Sequence, residues 1–138
     1  MQQQAAAARY GDCPSCTALL HPVAAEAFAA LGDTPAAAEH ARAAERVARL
    51  CQSSAWSAMA ESAAGSLAAA RGDVRPARRH HLAAASLYER ARQSYWAARS
   101  KVRAALVGTP DRTLLAEASA AFDTLGALRP SGSPGGTC

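Results

Sequence analysis

Two cysteines three residues apart, in the stretch GDCPSC, have the spacing in this sequence most suited to chemistry. Asp12 is a suitable N-cap and Pro14 fits a first turn, so Cys13 and Cys16 are predicted on one face of a helix's first turn. The positive end of the helix dipole stabilises thiolates there. The pattern therefore favours metal binding or redox chemistry over an inert surface position.

A third thiol is predicted to converge on this pair. The next helix runs back from Pro35 and ends near Cys51, so two antiparallel helices of similar length would bring Cys51 to the start of the first. Three thiolates and one nitrogen or oxygen ligand would suit tetrahedral zinc. His21 is the nearest fourth ligand in sequence, and Asp12 or Cys138 could replace it. The predicted zinc ligands are thus Cys13, Cys16, Cys51 and His21.

The competing interpretation is that these cysteines are small hydrophobic residues at helix-packing positions. Cys16, Trp56 and Trp96 are equally spaced along the chain, so Cys16 stands where two later helices carry tryptophan. The sequence holds no second CxxC and no HxxxH, which a strong zinc signature would show. We therefore expect no cofactor, and keep zinc and a regulatory thiol switch as alternatives.

The composition of the chain, and the Gly- and Pro-containing breaks between its apolar segments, predict an all-α fold. Half of the 138 residues are hydrophobic, and most of these are alanine, the strongest helix former. The stretches GDTP, GDVRP and GTPD each place Gly at a helix end, then a capping residue, with Pro close to the next helix. Two further breaks, which lack Gly and Pro, separate one pair of helices from the next. Ser53 or Ser54 is the predicted N-cap after the first of these breaks, and Ser94 after the second. The predicted helices span 13–31, 35–51, 54–71, 75–92, 95–107 and 111–127.

These helices form three antiparallel hairpins that repeat. When Pro35, Pro76 and Pro110 are aligned, three further positions hold matching residue types in the three hairpins. The first position is small, the second, four residues later, is larger, and the third, three residues after that, is small or apolar. These spacings place all three positions on one helix face. The three sets are Ala43, Ala84 and Ala118; Val47, Tyr88 and Phe122; and Leu50, Ala91 and Leu125. Hairpins that cannot bury their apolar stripes alone must stack on one another. We predict a short right-handed α-solenoid, with a compact antiparallel bundle as the alternative.

Aromatic residues are predicted mainly as packing between repeats. Trp56, Tyr88, Trp96 and Phe122 fall where neighbouring hairpins should meet. A concave ligand groove lined by such residues is the alternative. Pro22 lies inside the first predicted helix, where it should kink or split the helix and push His21 towards an extended conformation.

The densest basic run is RPARRHH, at residues 75–81. Together with the preceding helix end it could form a patch for an anionic partner, made of Arg71, Arg75, Arg78 and Arg79. Positive charge at the start of a helix opposes the helix dipole, which points to a partner or acidic neighbours. A solvated face is the simpler interpretation, and we do not expect direct nucleic-acid contact.

Composition also limits the function class. The formal charge of +4 is modest, and no stretch has the length and apolarity of a membrane span or a secretory signal. We expect a cytoplasmic protein with a partly helical extension at 1–12, a helical domain at 13–128 and a disordered Pro/Gly/Ser tail at 129–138. No nucleophile elbow, phosphate loop or paired catalytic carboxylates are visible, so an enzyme is not expected.

The second-helix pattern AAASLYERA, with Ala84, Tyr88 and Ala91, resembles the second half of a tetratricopeptide repeat. The stretches SSAWSAMAESAAGSLAAARGD and HHLAAASLYERARQSYWAARS also resemble the helical-repeat region of large actinobacterial LuxR-type, ATPase-containing transcriptional regulators. The resemblance implies a TPR-like solenoid used for signal sensing or partner docking rather than for DNA contact.

The function expected from the sequence is therefore a non-enzymatic interaction or scaffold module, transcription-related by resemblance. It would dock a peptide or helix on the concave face of the solenoid. A homodimer is a second hypothesis, since a three-repeat stack leaves its ends exposed. The alternatives are a metal- or thiol-sensing protein using Cys13, Cys16 and Cys51, and a basic helical nucleic-acid binder.

Overall fold

The computed structural model describes residues 17–127, which are all-α, with six helices and no strand in that range. Consecutive helices pair in chain order to form three hairpins. They are α1 (Leu20–Ala30), α2 (Thr34–Cys51), α3 (Ser54–Ala70), α4 (Val74–Arg90), α5 (Ser94–Leu106) and α6 (Arg112–Ala127). Each helix packs against the next in sequence, and α1 also packs against α3. The prediction of an all-α fold of antiparallel hairpins is confirmed, in an arrangement that a short solenoid and a compact bundle share.

A residue with positive φ ends every helix from α1 to α4, at intervals of 20 residues. The residues are Gly32, Gln52, Gly72 and Arg92, and Gly108 occupies the last corner. At Gly72 the amide bonds the carbonyl of Ala69 at 3.0 Å, and the next amide, of Asp73, bonds that of Ala68 at 2.9 Å. This is the Schellman arrangement that closes a helix end. Glycine turns the chain within a hairpin, whereas Gln52 and Arg92 turn it between hairpins.

Three of the helix starts have side-chain caps. Asp33 accepts a hydrogen bond from the amide of Ala36 at 3.1 Å, and Ser53 accepts one from Trp56 at 3.3 Å. Asp111 caps α6 in the same way. One detail of the predicted capping was wrong. Ser94 is the first residue of α5 rather than its cap, which is Gln93.

The start of α1 differs from the prediction for a physical reason. Proline cannot bond to the carbonyl four residues earlier, and the helical pattern is interrupted by a turn at Leu19, so that α1 begins at Leu20. Pro22 consequently lies in the first turn, buried, where its missing N–H is not needed. His21 is helical, so the extended conformation predicted for it was wrong.

The core consists mainly of alanine. Ala43, Ala84 and Ala118 are all buried, as the repeat alignment predicted, and Tyr88 is only 6% exposed. Burial also reveals a 40-residue period, because Ala18 just before α1, Ala58 in α3 and Ala98 in α5 are all buried. Small residues at these positions let the helices approach closely. Leu50, which was expected on the packed face, is instead 84% exposed.

Candidate functional site

An apolar groove of the described structure is lined by residues from the first helices of all three hairpins. It encloses about 510 Å³ and opens to solvent along one side. Its lining comes from four helices and from the residues just before α1 and α5: Leu19, Pro22, Val23, Glu26, Met59, Tyr88, Gln93, Trp96 and Arg99. We call this the α1–α5 groove. Leu19 is 59% exposed, Val23 65% and Trp96 44%, which leaves a large apolar area in contact with water.

Aromatic rings form one wall of this groove. Trp96 stacks against Tyr88 with ring centroids 6.2 Å apart, and Tyr95 meets its edge at 5.4 Å. Tyr95 also contacts Phe122 at 5.7 Å, so the rings connect α4, α5 and α6. The guanidinium of Arg99 lies 5.2 Å above the Trp96 ring, a cation–π contact. Trp56 lies half-buried in the first turn of α3 and does not line the groove.

Glu26 is the polar centre of the groove. Ser62 donates a hydrogen bond to one of its carboxylate oxygens at 2.7 Å. Arg103 contacts the other oxygen at 2.9 Å and Arg99 at 3.4 Å. Burial alone would raise the pKa of Glu26, but the Ser62 hydrogen bond and the arginine charges outweigh it and lower the pKa. One carboxylate thus faces two guanidinium groups, and the cluster carries an excess of positive charge.

A buried histidine lies on the far side of Glu26. His81 is 2% exposed, and its Nδ1 has no hydrogen-bond partner. Burial, followed by the positive charge of Arg103, lowers the pKa of His81 to about 4. The ring packs on Gly65, where a Cβ would come within 2.7 Å of the imidazole. With Glu26, Ser66 and Arg103, the ring also lines a shallower cavity of about 330 Å³.

Polar pairs join the two helices of each hairpin. His21, Glu61 and Lys101 are 40 residues apart along α1, α3 and α5. Within the hairpins their partners are His40 at 3.0 Å, His80 at 2.7 Å and Glu117 at 3.7 Å, and Lys101 also pairs more closely, at 2.9 Å, with Glu89 of α4. We call these the cross-helix pairs. These pairs were not predicted from the sequence, although the spacing of Cys16, Trp56 and Trp96 already showed the 40-residue repeat.

The predicted thiol cluster falls largely outside the described residues. Cys13, Cys16, Asp12 and Cys138 lie beyond residues 17–127, whereas Cys51 is an exposed free cysteine. His21 faces His40, and Cys51 lies eleven residues further along α2, about 16 Å at 1.5 Å per residue. Within residues 17–127 no three His, Cys, Asp or Glu side chains are grouped to hold a metal ion. Cys51 therefore does not share a ligand set with His21.

The four arginines of the predicted anion patch line different surfaces. Arg71 faces a groove of about 460 Å³ formed by α2, α3 and α4, whereas Arg75, Arg78 and Arg79 line a cavity of about 340 Å³. Arg78 is already engaged, because it donates to the carbonyls of Ala104 at 3.1 Å and of Val107 and Thr109 at 2.9 Å. Arg78 therefore closes the end of α5 and is not available to bind an anion.

We expect Arg78→Lys to lower the free energy of unfolding by about 2 kcal/mol, since lysine keeps the charge but cannot reach three carbonyls with one planar fork. Arg79→Lys, on an exposed neighbour, is the control and should change stability by less than about 0.5 kcal/mol. Urea unfolding of the three proteins measures the difference. Equal stabilities for the two variants would contradict this structural role of Arg78.

No protein-family model matches the chain, and no curated protein or solved structure does either. Among residues 17–127, no helix has the length and apolarity to cross a membrane. What can be said about function therefore depends on the geometry of the groove and its neighbours.

Proposed function

We propose that this chain is a non-enzymatic docking module that binds an acidic, apolar peptide or helix in the α1–α5 groove. The observation that carries the proposal is the half-open apolar groove itself, with Val23 and Trp96 exposed along it. Burying such side chains against a partner would contribute about 25 cal/mol per Å² of apolar area. A TPR-like scaffold in transcriptional regulation, and a cytoplasmic location, are parts of this proposal that depend on the sequence alone.

Charge indicates the chemistry of the partner. Arg103 and Ser62 hold Glu26 at short distance, whereas Arg99 reaches it only at 3.4 Å and remains about one-third exposed. The guanidinium of Arg99 has five N–H donors, so it can accept a second carboxylate without giving up Glu26. A partner with large apolar residues and a carboxylate would therefore contact both the aromatic wall and Arg99.

The polar groups next to the groove support a binding role rather than catalysis. Glu26 has a lowered pKa and is held by three donors, which makes it a poor general acid at neutral pH. The unpartnered Nδ1 of His81 is buried, and the pKa of the ring near 4 is far from that of a neutral-pH base. A basic nucleic-acid binder is less well supported, because Arg78 is engaged with backbone carbonyls.

The test is selection of random displayed peptides on the full chain, followed by titration of the selected peptides in solution. We expect sequences that combine large apolar residues with Asp or Glu. Val23→Asp should weaken their binding at least about tenfold, because it places a charge in the apolar groove. Leu50→Asp is the matched control, since Leu50 is also an exposed apolar residue, at 84% against 65% for Val23, but lies near the end of α2, outside the groove.

Two results would overturn the proposal. One is a selection that enriches no sequence over background. The other is a set of peptides that bind the Val23→Asp variant as tightly as the unaltered protein, which would place the docking surface elsewhere.

A further inference from the structure

The α1–α5 groove and the cavity that holds His81, which we call the His81 cavity, follow one another along the same two helices. On α1 and the residue before it, the two cavities together are lined by Leu19, Pro22, Val23, Glu26, Ala29 and Ala30. On α5 they are lined by Trp96, Arg99, Arg103 and Leu106. Spacings of three and four residues place each set on one helix face. From Leu19 to Ala30 this stripe is about 16 Å long at about 1.5 Å per residue.

Glu26 lies in the middle of the α1 stripe and lines both cavities. Its carboxylate reaches Arg103 at 2.9 Å and Arg99 at 3.4 Å, in the middle of the α5 stripe. Within residues 17–127 the closely packed helix pairs are consecutive helices and α1 with α3, so α1 and α5 do not pack directly. The ion pairs of Glu26 therefore bridge the space between α1 and α5, and they separate the α1–α5 groove from the His81 cavity.

Apolar surface is exposed on both sides of this bridge. Val23 and Trp96 are exposed on the groove side, and Leu106 is 57% exposed on the side of the His81 cavity. His81 lines that second side, and its buried Nδ1 has no hydrogen-bond partner, which is rare in a purely structural core. The two stripes thus combine a charged centre with an apolar region at each end.

The charge at the centre indicates which partner fits. Two guanidinium groups share one carboxylate, so the cluster attracts a further anion, but Arg103 already contacts Glu26 and, at 3.2 Å, Ser66. We propose that the two cavities are halves of one docking path and that Glu26 is an autoinhibitory contact across it, which a partner's carboxylate replaces on Arg103. The partner then carries an acidic residue flanked on both sides by apolar residues. This inference rests on the docking function proposed above.

The exchange is nearly balanced in polar contacts. Arg103 loses one carboxylate and gains another of the same kind. Ser62 donates to the other oxygen of Glu26 at 2.7 Å, so the displaced carboxylate keeps that donor. Burial of the partner's apolar side chains beside Leu106 supplies the driving force. A ligand shifts such an equilibrium only by its greater affinity for the open state, so a partner without the carboxylate leaves the contact closed.

The first test is a titration of the full chain with a selected peptide, the acidic peptide, and with the same peptide in which each Asp and Glu is replaced by its amide, the amide peptide. Glu26→Gln removes the competing charge. It should tighten binding of the acidic peptide at least about tenfold and change binding of the amide peptide by less than about twofold.

Glu89→Gln is the matched control for the loss of one negative charge. Glu89 also pairs with α5, through Lys101 at 2.9 Å, but lines neither cavity. This variant should change both affinities by less than about twofold. Circular dichroism checks that each variant is folded. If Glu26→Gln does not fold, Glu26→Asp decides, since its carboxylate is withdrawn by one methylene and should give a smaller gain of the same sign.

The second test follows both halves of the path by nuclear magnetic resonance. The acidic peptide at saturation should shift the indole N–H signal of Trp96 and also the methyl signals of Leu106, which are assigned from their loss in Leu106→Ala. The amide peptide at saturation should shift Trp96 and leave Leu106 unchanged, because the contact of Glu26 with Arg103 stays closed.

The outcomes separate this inference from the docking function. Equal affinity of the unaltered protein and Glu26→Gln for the acidic peptide, or an equal gain for the amide peptide, would overturn the autoinhibitory contact. An acidic peptide that shifts Trp96 but not Leu106 would do the same and leave docking in the α1–α5 groove intact. If no selected peptide shifts either signal, the docking function and the autoinhibitory contact fail together.

Discussion

Replacing Gly65 with alanine is expected to lower the free energy of unfolding by about 2 kcal/mol, even though alanine is the better helix former. The ideal Cβ at this position would lie 2.7 Å from Cε1 and 2.8 Å from Nδ1 of His81. The imidazole is 2% exposed, so it has little room to move away from an added methyl group. The overlap must therefore be relieved by a shift of the ring or of α3 against α4. Urea unfolding gives the difference directly.

The same substitution at Gly126 supplies the control. Gly126 lies near the end of α6, with nothing within 4 Å of where its Cβ would be. Alanine there should raise stability by up to about 1 kcal/mol, through helix propensity alone. If Gly→Ala lowers the unfolding free energy at position 65 and raises it at position 126, the loss of stability comes from the contact with His81. A Gly65→Ala protein as stable as the Gly126→Ala protein would contradict that contact.

A double substitution tests the contact further. Ala25 and Ala41 lie 40 residues before Gly65 and His81 and pack together in the core of the first hairpin. Gly65→Ala combined with His81→Ala would reproduce this pair in the second hairpin. We expect the combined loss to be smaller than the sum of the single losses by at least about 1 kcal/mol. Strict additivity would show that the two residues do not interact.

Acidification is expected to destabilise the fold by up to about 3 kcal/mol between pH 6.5 and 4 through His81. The pKa of His81 falls from 6.5 to about 4 on folding, since burial and the charge of Arg103 disfavour the imidazolium. Between pH 6.5 and 4 the imidazole is protonated in the unfolded chain but stays neutral in the folded chain. The stabilisation is therefore complete above pH 6.5 and is lost as the pH falls towards 4.

Glu26 acts in the same direction at lower pH. Its pKa is lowered in the folded protein, so its contribution is complete above its usual value and is lost as the pH falls through the folded pKa. The measurement is the unfolding free energy at several pH values, with His81→Gln for comparison. The variant should show a shallower slope between pH 6.5 and 4. An identical slope would mean that His81 is not held neutral in the fold.

Local features of the fold could be predicted from the sequence because they depend on neighbouring residues. Gly32 and Gly72 mark helix ends through their positive φ, and Asp33 caps the helix that follows. The all-α class follows from alanine content, and the buried Ala84 from periodicity. The wrong detail, Ser94, is a displacement of one residue at a helix start, where neighbouring polar residues compete to cap.

The groove and its polar centre could not be predicted in the same way, because they depend on how hairpins align. Glu26, Ser62 and Arg103 belong to three different helices, and nothing local relates them. Gly65 did carry a signal, since glycine inside a helix costs about 1 kcal/mol and commonly marks close approach. The 40-residue period would have aligned His21 with Glu61, and so indicated the cross-helix pairs.

The most direct test of docking in the α1–α5 groove uses the two tryptophans of the chain. Each gives one indole N–H signal in a ¹H–¹⁵N correlation spectrum. Trp96 forms the groove wall, whereas Trp56 lies outside it, so a selected acidic, apolar peptide should shift the Trp96 signal and leave Trp56 in place. A peptide that binds but shifts Trp56 alone, or neither signal, would contradict the proposed site.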